Sequence, residues 1–152
     1  MSGKGIDLTR AIQKILKEYG DDARKVVNAD IPKVAKAARR KVAAKSPHSS
    51  PEATGAYKRD WRSKVDERTH VNVSAVVFNK EHYQLTHLLE EGHVNWVKGP
   101  RNGTPKERDA FFSHQVSHKR PFEPAHPHIT PVEEWANQKL VDTVVRDLEK
   151  IT

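Results

Sequence analysis

The chain contains no cysteine among its 152 residues. The missing thiols exclude disulfide scaffolds, iron–sulfur clusters, thiolate zinc fingers and cysteine nucleophiles. Apolar residues are also scarce, at 36%, where a globular domain carries about 45–50% with glycine included. One domain fits this length, but its core cannot be generous. A lean core in an ordered protein often draws part of its burial from neighbours in an assembly. No apolar run approaches the roughly 20 residues of a membrane span. Met1 to Gly5 carries no apolar h-region, so no secretory signal is expected and assembly in a cytoplasm is. The sequence has no G-x-S-x-G, no P-loop and no G-x-G-x-x-G. It also has no finger spacing, recognition-helix motif or aromatic RNP strand.

What the chain does have is charge, unevenly placed. The net charge is +7. Residues 1–64 hold 16 Lys/Arg against 7 Asp/Glu, residues 65–130 hold 8 of each, and residues 131–152 hold 3 against 5. A basic excess confined to one end attracts polyanions in a salt-dependent way. The plainer reading is a solvated helix face. Lys33, Lys36, Arg39, Arg40 and Lys41 form the candidate DNA-proximal face, able to track phosphates without reading bases.

Hydrophobic spacing gives the element order. Leu8, Ile12, Ile15, Leu16, Tyr19, Ala23 and Val26 recur at steps of three and four, and Val34, Ala35, Ala38 and Val42 continue the pattern. A long N-terminal helix over 6–45 is predicted, started by Asp7. It is kinked at Pro32, or it is two helices with the second capped by Asp30 and Pro32 in its first turn. Ser46 to Pro51 reads as a loop. Two β-like runs follow, Tyr57 to Val65 and His70 to Phe78, with a hairpin turn over 66–69. The second run alternates with period two. Tyr83, Leu85, Leu88 and Leu89 fit a short helix ended by Gly92, with strand expected around 93–98. Residues 99–126 read as a long loop, uncommon in a small domain and usually functional or flexible. Thr130-Pro131-Val132-Glu133 reads as a capping box opening a helix over 131–151. The expected fold is a single α+β domain over 1–152. A small antiparallel sheet and the short helix span 54–98, packed by the N-terminal and C-terminal helices.

Nine histidines invite a metal reading. His114 and His118 are four apart, and His126 and His128 flank Pro127. His87-Leu88-Leu89-Glu90-Glu91 approaches the inverted zincin pattern, but Glu91 stands where the second histidine is needed. Adjacent carboxylates on a helix point about 100° apart, so Glu90 and Glu91 make no acid/base pair. No catalytic residue, metal ligand or cofactor site is assigned, and the chain is expected not to be an enzyme. Tyr57, Trp61 and Trp96 could stack on bases, but aromatics beside a sheet are more often core.

Three stretches, taken in order, resemble the minor tail-component or tail-completion family of long-tailed bacteriophages and related prophages. The first is Thr54-Gly55-Ala56-Tyr57-Lys58-Arg59-Asp60-Trp61. The second is Tyr83-Gln84-Leu85-Thr86-His87-Leu88-Leu89-Glu90-Glu91-Gly92-His93. The third is Pro127-His128-Ile129-Thr130-Pro131, before a C-terminal helix. The resemblance runs from about Ile6 to Ile151. It implies a small α+β virion subunit that forms a homo-oligomeric ring at the head–tail junction or the top of the tail. It also implies contacts with other connector and tail proteins and with DNA passing non-specifically through the lumen. On that reading Gly55 turns the chain into the first strand, and Tyr57 and Trp61 point into the core from one strand face. Leu85, Leu88 and Leu89 pack the short helix and Gly92 stops it. Glu90, Glu91 and His93 are candidates for contacts between subunits, and Pro127 to Pro131 set the angle of the last helix. The connection from Gly92 to Pro127 is longer than usual for the family, with extra material around Thr104 to Pro124. The alternative reading is a stand-alone basic protein that binds nucleic acid without sequence preference.

Overall fold

In a computed structural model, which describes residues 3–20, 22–47, 55–66, 74–94, 104–107, 109–110 and 122–150, the segment expected as one long helix over 6–45 falls into three pieces. The first is a two-residue strand, β1 (Ile6–Asp7), followed by α1 (Thr9–Tyr19) and α2 (Asp22–Lys45). The break is at Gly20, not at Pro32. Gly20 has φ +67° and returns its N–H to the Leu16 carbonyl, a conformation that costs L-residues but not glycine. Pro32 lies inside α2 on its exposed side, and the residue four before it, Asn28, is exposed too. The carbonyl that loses its partner therefore faces water, which lets the helix continue. Asp30 is accordingly no cap. It is buried within α2 and paired with Lys33 at 2.8 Å. Asp7 is not the cap of α1 either: it lies in β1, and Leu8 holds the N-cap position with no side-chain cap, although the Asp7 carboxylate accepts the Thr9 N–H at 2.8 Å.

Gly55, at φ +69°, leads into a helical turn, α3 (Ala56–Arg59), where strand was expected. β2 (Trp61–Asp66) and β3 (Ser74–Asn79) follow. The sheet is antiparallel in the order β1-β3-β2, with Ile6 opposite Val77, Trp61 opposite Asn79 and Asp66 opposite Ser74. Of the expected hairpin turn only Asp66 lies among the described residues. In β3 the alternation holds, with Ala75, Val77 and Asn79 buried and Val76 exposed between them. Next come α4 (Tyr83–Glu91), ended by Gly92 at φ +78°, then β4 (His93–Val94), paired with β5 (Phe122–Glu123). Residues 95–98 of the expected strand are outside the described residues. The last element is α5 (Thr130–Glu149).

The core lies where α2 packs against α5, β2 and β3, with α1 against α5. Its large members are Ile6, Leu8, Ile12, Ile15, Ile31, Trp61, Ile129 and Leu140, and Ala23, Ala35, Ala38 and Ala136 fill the spaces between helices. Tyr19, expected on the apolar face of α1, is 44% exposed. The N-terminal strap is tightly held. Lys4 donates its N–H to the Thr86 hydroxyl at 2.7 Å, and a Cβ on Gly5 would stand 2.5 Å from the Val77 carbonyl.

Inside the region expected as loop, Thr104-Pro105-Lys106-Glu107 makes a capped helical turn. The Glu107 carboxylate accepts the Thr104 N–H at 2.7 Å, and the Thr104 hydroxyl accepts the Glu107 N–H at 3.4 Å.

Candidate functional site

On α4 the residues with inward phase are Thr86 and Glu90, both buried. A carboxylate in such a place is costly unless hydrogen-bonded. Glu90 is fully supplied. One oxygen accepts the N–H groups of His128 and Ile129, each at 2.9 Å, and the other accepts that of Thr130 at 2.8 Å. These are the open N–H groups at the start of α5, where the helix dipole also favours a negative charge. Burial pushes the Glu90 carboxyl up. The three N–H groups, with the Thr130 hydroxyl, pull it down further, to about 2. Glu90 is thus the cap of α5, supplied from another helix. The expected capping box at Thr130 does not form, because no side chain within α5 caps its start. The Glu133 carboxylate faces the Asp7 N–H at 3.5 Å instead.

His128 extends the cluster. It is 1% exposed. Its Nδ1 lies 2.7 Å from the His126 carbonyl and 3.2 Å from Glu90. A carbonyl only accepts, so Nδ1 carries a proton, and Nε2 lies 2.8 Å from the Tyr57 hydroxyl, with which it shares a hydrogen bond. Burial, and then the Glu90 charge, raise the Tyr57 hydroxyl well above the usual phenol range. Tyr57, Trp61 and His128 meet edge to face, with centroids 5.7 to 6.2 Å apart. The Trp61 indole donates to the Ser46 hydroxyl at 2.9 Å, and Ser46 donates to the Val42 carbonyl. Asn79 donates to the Tyr57 carbonyl at 2.7 Å and accepts the His82 N–H at 2.9 Å. Tyr57 and Trp61 therefore do reach the core together, but across a helical turn and not from one strand face.

The structure brings together members of all three sequence stretches that carry the family resemblance: Tyr57 and Trp61, then Glu90, then His128. Thr54 lies outside the described residues. Glu90 is no surface group, so its expected subunit contact is replaced by the internal cap. Glu91 is exposed, and His93 is half-buried with its Nδ1 3.4 Å from the Leu88 carbonyl. Leu85, expected to pack α4, is 42% exposed. Leu88, Leu89 and Tyr83 are half-buried, while Pro127 and Pro131 are exposed. His114 and His118 are outside the described residues, and among the described residues no group of three or more His, Asp or Glu is placed to hold a metal ion.

A second feature is the outward side of α2. Lys25, Lys36 and Arg40 are exposed there and Arg39 is half-buried. Lys33 is exposed but paired with Asp30. Lys41 leaves the group, its ammonium sitting 4.4 Å from the centre of the Trp135 ring. Sequence reasoning missed Lys25, Ser46, Asn79 and the capping role of Glu90. For Glu90 a signal existed, since Tyr83, Thr86 and Glu90 share one helical phase.

A family model described as "Bacteriophage HK97-gp10, putative tail-component" matches residues 7–92, more than half of the chain. The chain belongs to this family. As an HK97-gp10-like tail component it is a bacteriophage structural protein, found in the virion and in contact with other tail proteins. The matched residues contain the first stretch and the second as far as Gly92. The third, around His128, lies beyond the match and is tied to it by the Glu90 hydrogen bonds. No curated protein and no solved structure matches the chain. Among the described residues no helix is long and apolar enough to cross a membrane.

Proposed function

We propose that this tail component works as a stoichiometric ring subunit at the head–tail junction or the top of the tail, helping to complete and join the tail. The family match over residues 7–92 carries the reading. The outward stripe of Lys25, Lys36, Arg39 and Arg40 on α2 suits a place beside the DNA that passes through the lumen, held through phosphates alone. The work is mechanical, with no turnover. Tyr57, His128 and Glu90, the titratable groups of the buried cluster, bond to one another and to backbone inside the chain. The chain would be assembled in the host cytoplasm alongside the connector and tail proteins it joins.

The test is deletion of the gene in its source genome, followed by induction of particles and electron microscopy of the lysate. Filled heads lying apart from separate tails are expected. Normal infectious particles would sink the reading. The stripe on α2 also favours a second reading, a stand-alone protein that binds nucleic acid without sequence preference. That reading requires monomeric, salt-sensitive DNA binding together with normal particles in the deletion.

A further inference from the structure

Two of the three large apolar side chains most open to solvent among the described residues lie on surfaces of opposite charge. Val76, 37% exposed, lies on the sheet face turned away from α2. Phe78 shares that face and is half-buried. On the β2 side Val76 stands opposite Lys64, and Phe78 opposite Arg62, both exposed. The Arg62 guanidinium is anchored at the foot of its strand by the Arg59 and Trp61 carbonyls. Across Val76 on the other flank is Asp7, whose carboxylate takes the Thr9 N–H. The face is therefore an apolar strip with a cationic flank along β2.

The other surface is the outward side of α4, opposite Thr86 and Glu90. Leu85 is 42% exposed, and Leu88, one turn on, is half-buried. Glu81 precedes the helix and Glu91 ends it, both exposed. Glu81 lies 3.3 Å from Lys80, so Glu91 is the stronger of the two. This side is an apolar strip with anionic ends.

We propose that the outer sheet face of one copy receives α4 of the next copy, with Leu85 and Leu88 over Val76 and Phe78, and Glu91 toward Lys64 and Arg62. The proposal rests on the ring reading and names the faces that build it. Apolar contact at the centre supplies affinity, while the charges at the rim fix register and orientation. The two faces differ, so the contact is head to tail, and it repeats until the rotation between copies closes a ring.

The natural chain has no cysteine, which makes single thiols clean probes. Particles are assembled from the full chain carrying V76C, L85C or both, then treated with a short bifunctional thiol cross-linker. The double variant is expected to give a ladder of linked chains on a denaturing gel, while each single variant stays at monomer size. Dimers from either single variant, a link within one chain, or no link in well-formed particles would each overturn the proposal. The last result would leave the tail reading intact, because particles would still need the chain. A charge test covers variants that assemble poorly. Lys64→Glu should lower particle yield at least tenfold, and Glu91→Lys in the same chain should restore it. A folded Lys64→Glu chain of normal yield, or no restoration, counts against the contact.

Discussion

Glu90 sits among buried groups and keeps its charge, so its contribution to stability depends on pH in a calculable direction. Its carboxyl is lowered from 4.5 to about 2 in the folded chain. A lowered acid contributes stability that is fully present above about pH 4.5 and is lost as pH falls toward 2. At 1.36 kcal/mol per pH unit the contribution is about 3 kcal/mol. Glu90→Gln is expected to lower stability by about that amount at pH 7, with the gap to the natural chain closing below about pH 4.5. Urea unfolding across that range measures it, and a gap that does not change with pH would count against the cap. Tyr57→Phe removes the hydroxyl facing the His128 Nε2 and should cost about 1–3 kcal/mol in the same measurement. The core position of Tyr57 and Trp61 was legible from sequence. For Glu90 the helical phase it shares with Thr86 could signal burial but not the role of cap, because its partners are backbone N–H groups, which every residue but proline carries and no letter marks.

Two segments with the same signature, Thr-Pro-x-Glu, behave differently as elements. At Thr104 to Glu107 the capping box closes on itself. At Thr130 to Glu133 a distant carboxylate, that of Glu90, takes the Thr130 N–H in place of the local glutamate, and the Glu133 N–H turns to the Ile129 carbonyl at 2.8 Å. Local chemistry fixed the start of α5 to within one residue but not the identity of its cap. The same division runs through the rest of the fold. The short helix stopped by Gly92, the alternation of β3 and the C-terminal helix were legible because one period governs each. The break at Gly20 was not, since a glycine that ends a helix and one tolerated within it look alike in sequence. The turn at α3 was missed because apolar spacing over four residues fits either element. The N-terminal strap offers a test at this scale. Gly5→Ala places a Cβ against the Val77 carbonyl, where backbone has little room to yield. β1 should then detach from β3, seen as faster hydrogen exchange at the Leu8 amide, which bonds the Ala75 carbonyl at 3.1 Å. Unchanged protection there would show that the strap has slack.

At the scale of the whole molecule, the basic stripe and the fold are separable. Replacing Lys36, Arg39 and Arg40 with alanine removes groups that lie outside the core. Stability should change by less than about 0.5 kcal/mol, while the salt dependence of DNA binding by the full chain becomes shallower. Equal salt slopes for the two chains would show that the stripe does not meet phosphate. Deleting residues 104–119 is expected to leave the circular-dichroism signal of the folded chain and to reduce the yield of particles. Loss of that signal would give the segment a role in folding instead. The first outcome follows from the long reach of the Glu90 cap, which joins residues 38 to 40 apart in sequence. The two ends of the connection are fastened to each other by these bonds, by the His126 N–H to the Leu89 carbonyl at 2.7 Å and by the pairing of β4 with β5. Closing a flexible loop costs only about 0.6 kcal/mol more for each doubling of its length. The stretch between the clasped ends is thus where such a chain can gain or lose whole segments over evolutionary time, fitting itself to different neighbours while its core stays the same.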